Sequence, residues 1–130
     1  MNILGNIKDW SHKTVLIAED YDENFIVLKA LLKKTKIQIL RAIDGREAVD
    51  MVKNNPSIDI ILMDITMPEL DGMDAAEAIR QYSPDKAIIA QTAHERELPT
   101  TTIRWEVFDD VLCKPILRQE LINKLDKFLS

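Results

Sequence analysis

The sequence predicts an α/β fold: one doubly wound domain built on a five-stranded parallel sheet with helices on both faces. Three observations predict it. Short apolar runs alternate with longer amphipathic segments five times along the chain. Strands that alternate with helices pair in parallel through right-handed crossovers, which lay helices on both faces of the sheet. The 130 residues, 46% hydrophobic and 30% charged, suit a single globular domain able to bury a core. No linker, repeat or low-complexity tract divides the chain, so residues 1–12 are expected to be an N-terminal extension or linker and residues 13–130 the domain.

The elements follow in order. Thr14–Ala18 (TVLIA) is apolar and rich in β-branched residues, a first strand that stops at Glu19 and Asp20. Glu23–Lys34 reads as a helix with Phe25, Leu28, Leu31 and Leu32 on one face. Ile37–Ala42 (IQILRA) is the second strand. Asp44-Gly45 makes a turn, and Arg46–Asn54 follows as a helix with Ala48, Val49 and Val52 turned inward. Ile58–Met63 (IDIILM) is a third strand ending at Asp64. Asp74–Tyr82 carries Ala75, Ala78, Ile79 and Tyr82 at helical spacing. Ala87–Ala90 is the fourth strand, ending near Gln91 and Thr92. Thr100–Phe108 is expected to be a short or irregular helix, because its threonines are poor helix formers although Pro99 suits a first turn. Val111–Cys113 is a short fifth strand, stopped by Lys114-Pro115, and Arg118–Leu129 closes the chain as a helix burying Leu121, Leu125 and either Phe128 or Leu129.

Composition narrows the function. A formal net charge of −5 argues against a domain whose main partner is nucleic acid. A single cysteine, Cys113, permits neither an intrachain disulfide nor a cysteine-based zinc site, and is expected to be a small buried strand residue. His12 and His94 lie too far apart to suggest a metal pair. The opening MNILGNIKDWSHK is no signal peptide, and runs such as Ile60 to Met63 are far too short to cross a bilayer. The expectation is a cytoplasmic protein with no membrane or direct nucleic-acid partner.

In an open α/β sheet, ligands bind at the carboxyl ends of the strands. Polar residues follow four of the five predicted strands: Glu19 and Asp20, Asp64, Thr92, and Lys114. Three converging carboxylates call for a cation, and oxygen-only ligands suit a hard one such as Mg²⁺. A hydroxyl and an amine beside them suit the equatorial oxygens of a phosphoryl group, toward which an aspartate can act as nucleophile.

Glu19-Asp20, ILMDITMPELDG around Asp64, Gln91-Thr92-Ala93 and Lys114-Pro115 together resemble the response-regulator receiver domain, from about Lys13 to Leu129. The wording VLIAED, LMDITMPELDGM and IIAQTA, with the Asp9-Trp10-Ser11 lead-in, looks most like receivers of hybrid histidine kinases. The resemblance implies a flavodoxin-like (βα)5 fold and a phosphorylation-controlled switch in a two-component phosphorelay. Carried over by residue, Asp64 matches the phosphoacceptor, and Thr92 and Lys114 match the pair that bonds the phosphoryl oxygens. Mg²⁺ is implied at Asp20, Asp64 and the backbone carbonyl of Thr66, with Glu19 acting through water. Pro115 matches a proline that often follows a cis peptide bond. Met67-Pro68 and Asp71-Gly72 match the loop that shapes the site. Thr66 and His94 fall where the family varies the lifetime of the phosphoryl group, although His94 reads first as a surface loop residue.

The implied protein is no enzyme in the ordinary sense, its reactions being Mg²⁺-dependent self-phosphorylation and self-dephosphorylation at Asp64. Its implied partners are a histidine kinase or histidine phosphotransfer protein, and a second copy meeting it through the face of segment 100–108, the fifth strand and the last helix. Two departures stand out. Val111 occupies the place of the family's usual Tyr or Phe, and HERELPTTTIRWEVFDD lacks the family's small residues before Asp109-Asp110. Within that stretch Phe108 is expected in the core, while Trp105 suits either core or a partner surface. An Asp-x-Thr phosphatase would want a second acid where Thr66 stands. A flavin binder would want a phosphate-binding loop where Glu19-Asp20-Tyr21-Asp22 stands.

Overall fold

A computed structural model of the chain describes residues 8–65, 67, 71–92 and 105–129. Among these, five strands and four α-helices alternate: β1 (Thr14–Ala18), α1 (Asp22–Leu32), β2 (Gln38–Ala42), α2 (Gly45–Asn54), β3 (Ile60–Asp64), α3 (Gly72–Tyr82), β4 (Ala87–Thr92), β5 (Asp110–Cys113) and α4 (Arg118–Leu129). The strands form one parallel sheet in the order β2-β1-β3-β4-β5, which puts the reversal of strand order between β1 and β3. This is the expected doubly wound, flavodoxin-like arrangement.

Both sheet faces are covered, so the central strands are apolar on both sides rather than alternating. Leu16, Ile61, Met63 and Ile88 pack under α2 and α3, while Val15, Ile17, Leu62 and Ile89 pack under α1 and α4. The inward residues expected of α2 are buried, as are Leu28 and Leu32 of α1 and Leu121, Leu125 and Leu129 of α4. Phe128 is only partly buried, which leaves Leu129 as the third inward residue of α4. Tyr82 departs from the expected stripe. At the last turn of α3 it lies 55% exposed, with Lys53 Nζ 5.7 Å from its ring centroid, and Ala76 takes the buried place instead.

The helix starts fall earlier than expected because aspartates cap them. Asp44 accepts from the Glu47 amide at 2.8 Å, and Glu47 returns a bond from the Ile43 amide at 2.9 Å, so α2 begins at Gly45. Asp71 accepts from the Asp74 amide at 2.9 Å and starts α3 at Gly72. After α1 the chain tightens into a 3₁₀ turn, Lys33–Thr35, and leaves it through Lys36 at φ 63°.

Trp10, upstream of the boundary expected at residue 13, is buried in the core beside α1 and α4, and its amide donates to the Thr35 carbonyl at 2.7 Å. Of the helix expected at Thr100–Phe108, residues 100–104 lie outside the described residues, and Trp105–Val107 forms a 3₁₀ turn. Phe108 packs partly buried against the core, with the half-exposed Trp105 edge-on to it at 6.4 Å. Among the described residues, no helix is long and apolar enough to cross a membrane.

Candidate functional site

The carboxyl ends of the strands bring Glu19, Asp20, Asp64, Thr92 and Lys114 to one edge of the sheet, and backbone hydrogen bonds beyond the strand ends fix three of them. The Glu19 amide donates to Ala42 at 2.9 Å, the Ile65 amide to Gln91 at 3.1 Å, and the Lys114 amide to Thr92 at 2.8 Å. Each loop therefore leaves the sheet already held by its neighbouring strand, which limits how far its first side chains can wander.

Carboxylate oxygens of Glu19, Asp20 and Asp64 all lie within 4.8 Å of one another. Glu19 and Asp64 are buried and Asp20 is exposed, so the cluster has two fixed walls and one open side. Lys114 Nζ stands 3.3 Å from Glu19 Oε1 and 3.5 Å from Asp64 Oδ2, reaching across from β5 to the ends of β1 and β3. The other Glu19 oxygen accepts from the Tyr21 amide at 3.3 Å. One ammonium thus faces two of three carboxylates, and the remaining negative charge suits a divalent cation with oxygen ligands. The donor set is all oxygen, as Mg²⁺ requires, and it contains neither imidazole nor thiolate.

Thr92 is 1% exposed, and its hydroxyl has no hydrogen-bond partner among the described residues. A buried donor of this kind costs stability unless something else satisfies it. The Lys114–Pro115 peptide is cis. Val111 is half-buried, one wall of a 270 Å³ cavity that it shares with Trp105, Phe108, Asp109 and Asp110. Thr66 and His94, with Pro68 of the loop, lie outside the described residues. Cys113 is only partly buried at the end of β5, paired in register with Thr92.

Two residues that position this site were not singled out from the sequence. Arg41, on β2, donates from Nε to the Glu19 carbonyl at 3.1 Å, pairs with Asp22 at 2.8 Å, and lies over the Phe25 ring at 4.6 Å. It ties both ends of the Glu19–Asp22 turn to the neighbouring strand. Its signal in the sequence was a cation in an otherwise apolar strand. Gly72, named only as part of a loop, packs directly on the backbone of Asp64.

Comparison with known proteins gives a consistent set of likenesses. A family model described as the response regulator receiver domain matches residues 15–126. Two-component system protein A of Emericella nidulans is 42% identical over 120 residues, covering 91% of this chain and 18% of that protein. The chain thus spans less than a fifth of the length of that relative. The receiver domain of a sensor histidine kinase from Pseudomonas aeruginosa, with a magnesium ion coordinated in its active-site cleft, is 30% identical with a TM-score of 0.82, covering 90% of this chain and 97% of that one. A receiver from Saccharomyces cerevisiae, in co-crystals with a histidine phosphotransfer signalling protein, is 29% identical with a TM-score of 0.79, covering 93% of this chain and 91% of that one.

Proposed function

This chain belongs to the response regulator receiver family, the switch domain of two-component signalling, and on that premise we propose that Asp64 is the side chain that takes up the phosphoryl group. The carrying observation is the meeting of three carboxylates within 4.8 Å with Lys114 Nζ 3.5 Å from the Asp64 carboxylate. The donor is a phosphohistidine on a histidine kinase or histidine phosphotransfer protein, the class of partner in the yeast co-crystal. An Asp64 oxygen attacks phosphorus; the P–O bond forms as the P–N bond breaks, and its electron pair returns to the imidazole nitrogen.

Asp20 and Asp64, with the Thr66 carbonyl and with Glu19 through water, would hold Mg²⁺, which offsets the negative charge gathered by the incoming phosphoryl oxygens. Lys114 serves the same oxygens from the opposite side, already held in place by Glu19. The unpartnered Thr92 hydroxyl is the donor in reserve: bonding a phosphoryl oxygen satisfies it and draws the end of β4 toward the site. The acyl phosphate adds roughly 1.5 to 2 negative charges, by analogy with other phosphorylated side chains. The resulting shift in population is read at the surface of Trp105–Phe108, β5 and α4, by a partner or by a second copy of the chain. With Val111 in the aromatic's place, Trp105 and Phe108 supply the aromatic surface there.

Acetyl phosphate and Mg²⁺ supply the test, with intact-mass measurement as the readout. Wild type should gain one phosphoryl group and Asp64→Asn none. A wild type that stays unmodified, or an Asn variant modified to the same extent, contradicts the assignment.

A further inference from the structure

Gln91 is the buried polar residue that this site does not use. It stands on β4 immediately before Thr92, it is 0% exposed, and neither its amide nitrogen nor its amide oxygen has a hydrogen-bond partner among the described residues. An amide buried with both halves unsatisfied opposes folding, and a partner from outside the chain is the direct way to offset it.

Gln91 lines a cavity of about 200 Å³ between α1 and the turn that follows β5. Its apolar walls include Val27, Pro115 and Ile116, and its other polar residues are Asn24 and Lys114. A space this large exceeds what one water fills, and it is smaller than the pockets that hold drug-sized ligands. Lys114 directs its ammonium to Glu19 and Asp64, at 3.3 and 3.5 Å, so its charge is not open to an anion in the cavity. What remains is a pair of neutral carboxamides set among apolar walls.

We propose that this cavity binds a small neutral molecule whose apolar, ring-sized body carries a carboxamide or lactam edge, with that edge hydrogen-bonded to Gln91. Such an edge places a donor and an acceptor side by side, the complement of the Gln91 amide. The site is separate from the phosphoacceptor and does not depend on Asp64.

Benzamide is a suitable probe, titrated into the isotopically labelled full chain by NMR. The Gln91 side-chain amide and the Val27 and Ile116 methyl signals should shift saturably in wild type. Gln91→Leu, close in shape but without the amide, should weaken binding at least about tenfold. Val27→Trp, at a position 52% exposed and so tolerant of size, should fill the cavity and abolish the shifts. Asp64→Asn should bind benzamide like wild type, so failure of the phosphoacceptor assignment and failure of this one are told apart. Shifts that do not saturate in wild type, or saturable binding unchanged in Val27→Trp or Gln91→Leu, overturn the proposal. If Gln91→Leu does not fold, Val27→Trp decides.

Discussion

At the scale of single residues, Gly72 shows how closely the site depends on backbone packing. A Cβ at that position would lie 2.1 Å from the Asp64 carbonyl oxygen and 2.5 Å from Ile65 Cα. Both are backbone atoms and neither can swing aside. Gly72→Ala must therefore lift the start of α3 off the end of β3 or displace Asp64 itself. Overpacking of this kind typically costs about 1–3 kcal/mol. The expected outcome is a loss of that size in urea unfolding together with weaker Mg²⁺ binding by calorimetry. A variant with wild-type midpoint and wild-type Mg²⁺ affinity contradicts the account. The acids and the lysine were legible in the sequence because each directly follows a strand, and a parallel sheet collects such positions at one edge. The contact between Gly72 and Asp64 was not legible, since it joins residues eight apart through a loop path that no periodicity encodes. Arg41 was missed for a related reason: it reaches laterally from β2 to the turn after β1, a contact set by strand neighbours rather than by sequence neighbours.

At the scale of elements, the amino-terminal edge of β4 and β5 is held by one side chain from α3. Arg80 donates to the Val107 carbonyl from Nε and Nη2 at 3.3 and 3.0 Å, to the Pro84 carbonyl at 3.1 Å and to the Lys86 carbonyl. It also pairs with Asp109 at 2.7 Å, and the same Asp109 oxygen accepts from the Ile88 amide at 2.8 Å. One guanidinium thus joins the end of α3, the entry to β4 and the 3₁₀ turn that leads into β5. Helical spacing identified the core face of α3 but assigned Arg80 only to the remaining, polar side. Its reach depends on where the 105–109 segment docks, and that segment was also the least regular part of the sequence. Arg80→Met keeps much of the stem and removes the donors. A loss of roughly 2–4 kcal/mol is expected, because several carbonyls and a partly buried carboxylate lose a charged partner. Hydrogen exchange at the Ile88 and Asp109 amides should quicken. Mg²⁺ affinity should hold, since Arg80 acts at the edge of the sheet opposite the carboxylate cluster. Equal weakening of Mg²⁺ binding would mean that the two edges are coupled.

Across the whole molecule, the two edges of the sheet carry opposite electrostatic designs. The carboxyl edge gathers three acids against one lysine, whereas the amino edge is closed by ion pairs. Fold class was legible at this scale because five strand–helix alternations with right-handed crossovers leave few topologies. The ion pairs were not, because charge on a helix surface says nothing of which strand end it meets. Asp110 is the pair with a consequence for the domain as a whole. Burial pushes its carboxyl up, but Lys127 at 2.7 Å, the Val111 amide at 2.8 Å and Lys124 at 3.0 Å outweigh that and hold its pKa at about 2, against an ordinary 3.8. The folded value lies below the unfolded one, so the contribution is fully present above about pH 4 and shrinks as pH falls, to vanish below about 2. The shift bounds it at about 2 kcal/mol, and solvent around the 60% exposed Lys127 brings it nearer to about 1. Other carboxylates also titrate in this range, so the informative quantity is the difference between wild type and Asp110→Asn. That difference, taken from urea unfolding at a series of pH values, should be constant from neutral pH down to about 4 and then close toward zero. Added salt should reduce it at neutral pH, because the Lys127 partner is reached through solvent. A gap that stays the same at pH 7 and pH 2 would show that Asp110 holds α4 to β5 through packing rather than through its charge.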